Sequence, residues 1–288
     1  MEICFNLYIL KVLIGLISKN RAAILPRAIQ SALEQSINEK FISIFDDHST
    51  DDTKKLKERF PQVEWYFSET DKGYVYGRNK LMRETTAEYY CSLDDDSWFI
   101  KKDSLSIACN YLDEHRDVAA IAFDILSSDR PDIEKIIEPV ETNLFVGCGH
   151  VLRLSAVREV GYYIPFPGFY AGEERDLCIR LIDKGYKIVK FPGVHVWHDK
   201  SMVSRNLKLQ CMSNACNDLS YAYVRFPLGI MLISIPYKAV LQIKHGVKSH
   251  LLWPAVKGVF LFVFSLFALR LKRNAVSRTA FKKFRSLH

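Results

Sequence analysis

Residues 91–98 read CSLDDDSW, three adjacent aspartates directly after a short apolar run. Adjacent carboxylates repel one another, so a cation nearby would offset the cost of placing them together. Hard divalent ions such as Mg2+ and Mn2+ take oxygen ligands, commonly one or two carboxylates plus the phosphates of a substrate. A solvated acidic turn is the plain alternative, and the local sequence leaves the two readings level. A second acidic group, DDHSTDDT at 46–53, also follows an apolar run. Ser49, Thr50 and Asp51 suit the cap of a following helix, which leaves Asp46 and Asp47 unexplained. In the third stretch, GFYAGEERDLCIRLIDKGY at 168–186, Leu177, Cys178, Leu181 and Ile182 form one apolar helix face and Gly185 suits its stop. Asp176 and Arg180 stand at (i, i+4), which favours a structural pair. Glu173 and Glu174 fall at the helix start. The helix dipole accounts for carboxylates there, and a general base is the competing reading.

These residues need elements to hold them. KVLIGLI (11–17), FISIF (41–45), VEWYF (63–67) and YYCSL (89–93) read as short buried strands, alternating with helical patterns from Leu25, over 53–60 and over YGRNKLMRETTA. A further helix from Asp103 to about His115 precedes the strand VAAIAF. SSDRPDIEKIIEPVE reads as a loop or edge ribbon, and FVGCGHVLRLSAVREVG as a strand, a glycine turn and a helix. Such alternation predicts an α/β fold with a mostly parallel sheet covered by helices on both faces. Ligands bind at the carboxyl ends of strands in such sheets, where Asp46, Asp47 and Asp94–Asp96 all fall.

Charge divides the chain. Fifteen lysines and arginines face only Asp199 and Asp218 from residue 199 onward, a surplus of +13, which leaves −6 for the first 198 residues. Seven cysteines without a CxxC pair fit reduced thiols in a cytosolic compartment. The apolar N-terminus carries Glu2 in place of a basic leader region and reads as the approach to the first strand.

The order of SKNR, SALEQS, IFDDHSTDDT, GYVYGRN, SLDDDS and GEERDLCIRL over residues 10–200 resembles a family 2 glycosyltransferase of the GT-A fold. The resemblance implies a Rossmann-like sheet and an inverting transfer of sugar from a nucleoside-diphosphate sugar to an acceptor hydroxyl. Asp47 would contact the nucleobase, and Arg78 would lie near the nucleotide. Asp94–Asp96 match the DXD element, with Asp95 near the ribose and Asp96 on Mn2+ or Mg2+. His198 would complete the metal or diphosphate site, with His195 as a competitor. Glu174 stands where the family usually has an aspartate base, so it keeps the carboxylate and gains a methylene. After the first strand the chain reads LISKN where the family usually has a Thr or Ala-Tyr-Asn pattern, so base contacts there would be mainly to backbone.

The division this suggests is a catalytic domain over 1–204 and a basic, helical extension over 205–288. Apolar runs interrupted by Pro236, Lys244, Pro254 and Lys257 predict short helices lying on an anionic membrane surface. GVFLFVFSLFAL at 258–269 falls short of a bilayer span, although extending it back to Leu251 approaches spanning length. A saccharide or lipid-linked acceptor at the cytoplasmic face of the membrane fits this tail. No nucleic-acid motif accompanies the basic residues. An inactive scaffold of the same fold, or a nucleotide-sugar binding protein, is the rival reading. A nucleotidyltransferase is disfavoured by the lack of a glycine-rich, lysine-containing phosphate loop.

Overall fold

The structure is a computed structural model that describes residues 11–132, 138–200 and 206–287. The lead-in before Lys11, part of the 127–141 loop and the expected boundary at 204 lie outside the described residues. The chain divides into two compact units, Met1–Glu159 with Tyr186–Ser201, and Val160–Gly185 with Met202–His288. This differs from the expected cut at 204, because the segment 160–185 groups with the C-terminal helices.

The first unit holds a nine-stranded sheet: β1 (Val12–Ser18), β2 (Lys40–Asp46), β3 (Glu64–Phe67), β4 (Tyr89–Asp94), β5 (Ser97–Phe99), β6 (Val118–Leu126), β7 (Val140–Thr142), β8 (Gly149–Arg153) and β9 (Lys187–His198). Its order is β3-β2-β1-β4-β8-β6-β9-β5, with β7 also on β9. The first four strands in that order are all parallel, as the alternating pattern requires. β8 then runs antiparallel to both β4 and β6, and β5 and β7 run antiparallel to β9. A parallel neighbour needs a long crossover, usually helical, and no helix separates β6 from β8 among the described residues. The strand within FVGCGHVLRL follows the glycine turn instead of preceding it.

Alternation along β1 sends Val12, Ile14 and Leu16 to one face. There they join Leu25, Ile29, Leu105 and Leu112 of α1 (Leu25–Leu33) and, across a short α2 (Leu56–Arg59) and α3 (Tyr74–Glu84) in sequence, α4 (Ser104–Glu114). α3 covers the opposite face. Its Gly77 approaches so closely that a Cβ there would stand 2.6 Å from Phe45 and 2.9 Å from Ile17. α5 (Leu154–Val160) follows β8.

The second unit contains α6 (Glu173–Asp183), α7 (Leu207–Arg225), α8 (Leu228–Lys248), α9 (Leu252–Lys272) and α10 (Arg278–Ser286). The expected short helices are in fact two of 21 residues each. Pro254 falls in the first turn of α9, where its missing N–H costs nothing, and α8 continues through Pro236. α7 and α9 pack through Cys216, Leu219, Val224, Phe262 and Leu269.

Asp176 is fully buried in this unit and accepts from Arg180 Nε at 2.8 Å and from Arg225 Nε at 2.5 Å. Arg180 also donates to the carbonyls of Val160 and Tyr162, each at 2.6 Å, and Arg225 to that of Asn274 at 2.9 Å. Burial pulls the Arg180 guanidinium below its ordinary pKa; Asp176 opposes that pull and Arg225 adds to it. Removing the one anion would leave two buried cations facing each other. Asp176→Ala is therefore expected to cost about 3–5 kcal/mol, a large part of a typical domain's stability. Denaturant unfolding of the full chain measures it, and a midpoint unchanged from the parent would refute the pairing.

Candidate functional site

The aspartates of 94–96 sit in the turn between β4 and β5, and each meets a different basic side chain. Arg78, buried on α3, donates from Nη2 to Asp94 Oδ1 at 2.7 Å and to the Gly147 carbonyl at 3.2 Å. Arg21, from the loop after β1, brings Nε within 3.8 Å of Asp95 Oδ1. His198 brings Nε2 within 3.2 Å of Asp96 Oδ1. Two guanidinium groups thus offset the repulsion inside the triplet, and an imidazole borders its third member.

Strand pairing explains the His198 contact. β5 and β9 are antiparallel with Ser97 opposite His198, which delivers the imidazole to the turn before β5. The Asp94 N–H donates to Ser97 Oγ at 2.8 Å, and the Asp199 N–H to the Asp96 carbonyl at 2.9 Å. Burial, opposed by the Arg21 guanidinium and reinforced by the charges of Asp94 and Asp96, pushes the Asp95 carboxyl up to about 7.

Asp46 and Asp47 end β2 on the same rim. The Asp46 Oδ1 accepts the Ser49 N–H at 2.8 Å. Asp47 accepts the Lys72 and Gly73 N–H groups at 2.7 and 2.9 Å, one on each oxygen, and so fixes the start of the helix that carries Arg78. Asp51 caps the turn that follows through the Thr53 N–H, as its residue type suggests. It also accepts the Ala22 N–H at 3.0 Å, while the Asn20 N–H donates to Ser49 Oγ at 2.8 Å. The Asn20 amide, within the LISKN stretch expected to meet a base, is thereby spent on the loop after β2, as is that of Ala22.

Do the residues fit a divalent ion? Two ligands each about 2.1 Å from an octahedral cation stand about 3.0 Å apart, close to the 3.2 Å between His198 Nε2 and Asp96 Oδ1. Carboxylate and imidazole donors suit Mn2+ well, and Mg2+ through its preference for oxygen. The donor set fits. Cys148, which the sequence reading passed over, also lies here, its Sγ 3.5 Å from His198 Nδ1. Ligand atoms of Asp94, Cys148 and His198 all fall within 4.8 Å of one another. Burial pushes the Cys148 thiol well above its ordinary pKa, so it stays protonated and orients the imidazole.

His195, the competitor of His198, lies opposite Asp124 of β6, with Nε2 4.0 Å from Asp124 Oδ2. Burial lowers its pKa, which Asp124 opposes. It belongs to a separate cluster with Lys190 and Arg130 around Asp124. Arg21 ends the SKNR stretch, which by itself assigns it no role. Its signal is that a cation directly after β1 shares a rim with the ends of β2 and β4.

In the second unit, Gly172 precedes α6 at φ 105°, a left-handed conformation that suits glycine, and Glu173 and Glu174 open the helix. Glu173 is buried and Glu174 half-buried. The expected apolar face of Leu177, Cys178, Leu181 and Ile182 is fully inside.

Known proteins resemble the chain in sequence and in fold. TuaG of Bacillus subtilis (strain 168), named as a teichuronic acid biosynthesis glycosyltransferase, is 24% identical over 172 residues. The match takes in 55% of this chain and 66% of that protein, so the chain spans just under two thirds of the relative's length. The mannosyltransferase PcManGT from Pyrobaculum calidifontis, solved with GDP-Man and Mn2+, superimposes with a TM-score of 0.59 at 14% identity over 96% of this chain and 79% of that one. S. aureus TarS 1–349 does so with a TM-score of 0.57 at 12% identity, over 88% of this chain and 72% of its own. At such identities the superpositions establish the GT-A fold. The model of the family described as glycosyl transferase family 2 matches residues 14–161, from β1 through the acidic triplet to the end of α5, and the chain belongs to that family.

Proposed function

We propose that the protein transfers a sugar from a nucleoside-diphosphate sugar to an acceptor hydroxyl, with inversion at the anomeric carbon, in the assembly of a polysaccharide or glycolipid. The observation that carries this reading is the convergence of Arg78, Arg21 and His198 on Asp94–Asp96 at the carboxyl rim of the sheet. Asp47 would meet the nucleobase through lone pairs left over from its two loop contacts, since each carboxylate oxygen has two. Arg78 and Asp94 would face the nucleotide, and Asp95 the ribose. Asp96 and His198 would hold Mn2+ or Mg2+, which, when bound, neutralises charge on the departing diphosphate. Arg78 adds a fixed, buried positive charge on the same side.

Glu174 is the proposed base, taking the acceptor's proton as its oxygen attacks the anomeric carbon from the face opposite the diphosphate. Support comes from its place in the first turn of α6, where the helix dipole favours the ionised carboxylate. The test is a panel of UDP- and GDP-sugars incubated with the protein and Mn2+, read by release of nucleoside diphosphate. Metal-dependent release supports the reading; nucleotide bound without turnover would make the protein a binding module.

The acceptor side would lie at a membrane. On α8, Leu228, Leu232, Ile233, Tyr237 and Val240 are exposed, and on α9 Trp253, Phe260, Phe264, Phe267 and Leu271. Lys257, Arg270 and Lys272 on α9, and the basic residues of α10, would meet anionic headgroups. α9 is also long and apolar enough to cross a bilayer, with 22% of its apolar window buried. The proposal is a peripheral attachment at the cytoplasmic face. The full chain is expected to float with anionic liposomes and to be released by carbonate. Resistance to carbonate would mean a spanning α9, and no flotation would mean no membrane role.

A further inference from the structure

The tail reaches the segment that carries the proposed base. Asn217 on α7 accepts the Gly168 N–H at Oδ1 (2.7 Å), and its Nδ2 stands 3.1, 2.8 and 2.8 Å from the carbonyls of Gly168, Tyr170 and Ala171. One turn earlier, Ser213 Oγ accepts the Phe169 N–H at 3.0 Å. Both side chains are buried. The loop lies so close to α7 that a Cβ on Gly168 would stand 2.8 Å from Ser213 Cα and 2.9 Å from its carbonyl oxygen. Directly after this loop come Gly172 and the first turn of α6 with Glu174. Two further residues along, Asp176 is tied to Arg225 on the same α7.

We infer that Asn217 is a positioning residue for the transfer reaction: α7 clamps the loop 168–171 and, through it, sets the direction of Glu174. This deepens the proposed function and rests on the reading of Glu174 as base. The physical argument is one of satisfaction. A loop with four backbone groups within hydrogen-bond distance of one buried amide, whose two N–H groups are shared among three carbonyls, is held closely, and a helix start inherits the position of the loop that feeds it. An error of about 1 Å in a reacting group can cost on the order of 10²-fold in rate. The C-terminal region is then part of the catalytic apparatus as well as a membrane anchor.

The test uses the full chain, Mn2+ and the UDP- and GDP-sugar panel, with released nucleoside diphosphate as the rate and hydrogen exchange over residues 168–172 as the structural readout. Asn217→Ala is expected to lower kcat about 10- to 100-fold with donor KM unchanged, and to speed exchange in that segment. Gly168→Ala, which leaves α7 intact and displaces the loop from its side, should do the same. Combining Asn217→Ala with Glu174→Gln should cost no more than Glu174→Gln alone, since both act on one step. A folded Asn217→Ala with parental kcat overturns the inference. Should that variant fail to fold, parental kcat in Gly168→Ala overturns it instead. Full turnover in Glu174→Gln would remove the base assignment, while the exchange data would still report on the clamp.

Discussion

Glu174→Gln is expected to cut transfer about 10²- to 10⁴-fold while leaving donor affinity nearly intact. Glutamine matches glutamate in size but lacks the negative charge and the capacity to take the proton. The helix start should survive the change, because Gly172 and the loop before it set its direction. Glu173→Gln serves as the internal comparison. Glu173 is buried, so its substitution should act on stability more than on turnover, whereas Glu174 is half-buried. Steady-state transfer by both variants, with donor affinity measured separately, decides between them. Equal losses at 173 and 174, or near-normal turnover in Glu174→Gln, would mean that the base lies elsewhere.

Much of the sheet was legible because its strands are short, β-branched or aromatic-rich runs that end at polar turns. The alternation with helices then fixes the parallel half from β3 to β4. The antiparallel pairings of β5, β7 and β8 were not legible. Nothing in VGCGHVLRL states that the strand follows the glycine turn, and β5 has only three residues, too few for a period. That small strand matters, since its pairing with β9 places His198 beside Asp96. The acidic triplet could be read from spacing alone, whereas its partners Arg21 and Cys148 come from loops far away in sequence. The tail was the least legible part. Prolines at 236 and 254 suggested breaks, yet one sits where a helix tolerates it and the other is carried inside a long helix. Asp176 was paired correctly with Arg180, but its second partner, Arg225, lies 49 residues on and leaves no local signal. For that reason, deleting the chain from about 205 onward should do more than raise solubility. It removes Arg225 and Asn217, and with them the support of α6 and of the loop before it.

On the proposed reading, the carboxylate of Asp96 and the imidazole of His198 would together hold a nucleoside diphosphate through a divalent ion. Asp96 is 3% exposed and lies 3.2 Å from His198 Nε2, so replacing the carboxylate removes one donor of the pair. The flanking Asp94 and Asp95 remain engaged with Arg78 and Arg21. Those contacts compete with any substitution for Asp96, so the loss should be large. The fold should persist, because the strands on either side of the turn keep their ladders. The direct measurement is calorimetric titration of UDP and of GDP into the full chain and into Asp96→Ala, each with Mn2+ and with the metal chelated. Binding that needs both Mn2+ and Asp96, for one of the two nucleotides, is the predicted result. Equal affinity in the variant, or in the presence of chelator, would contradict it.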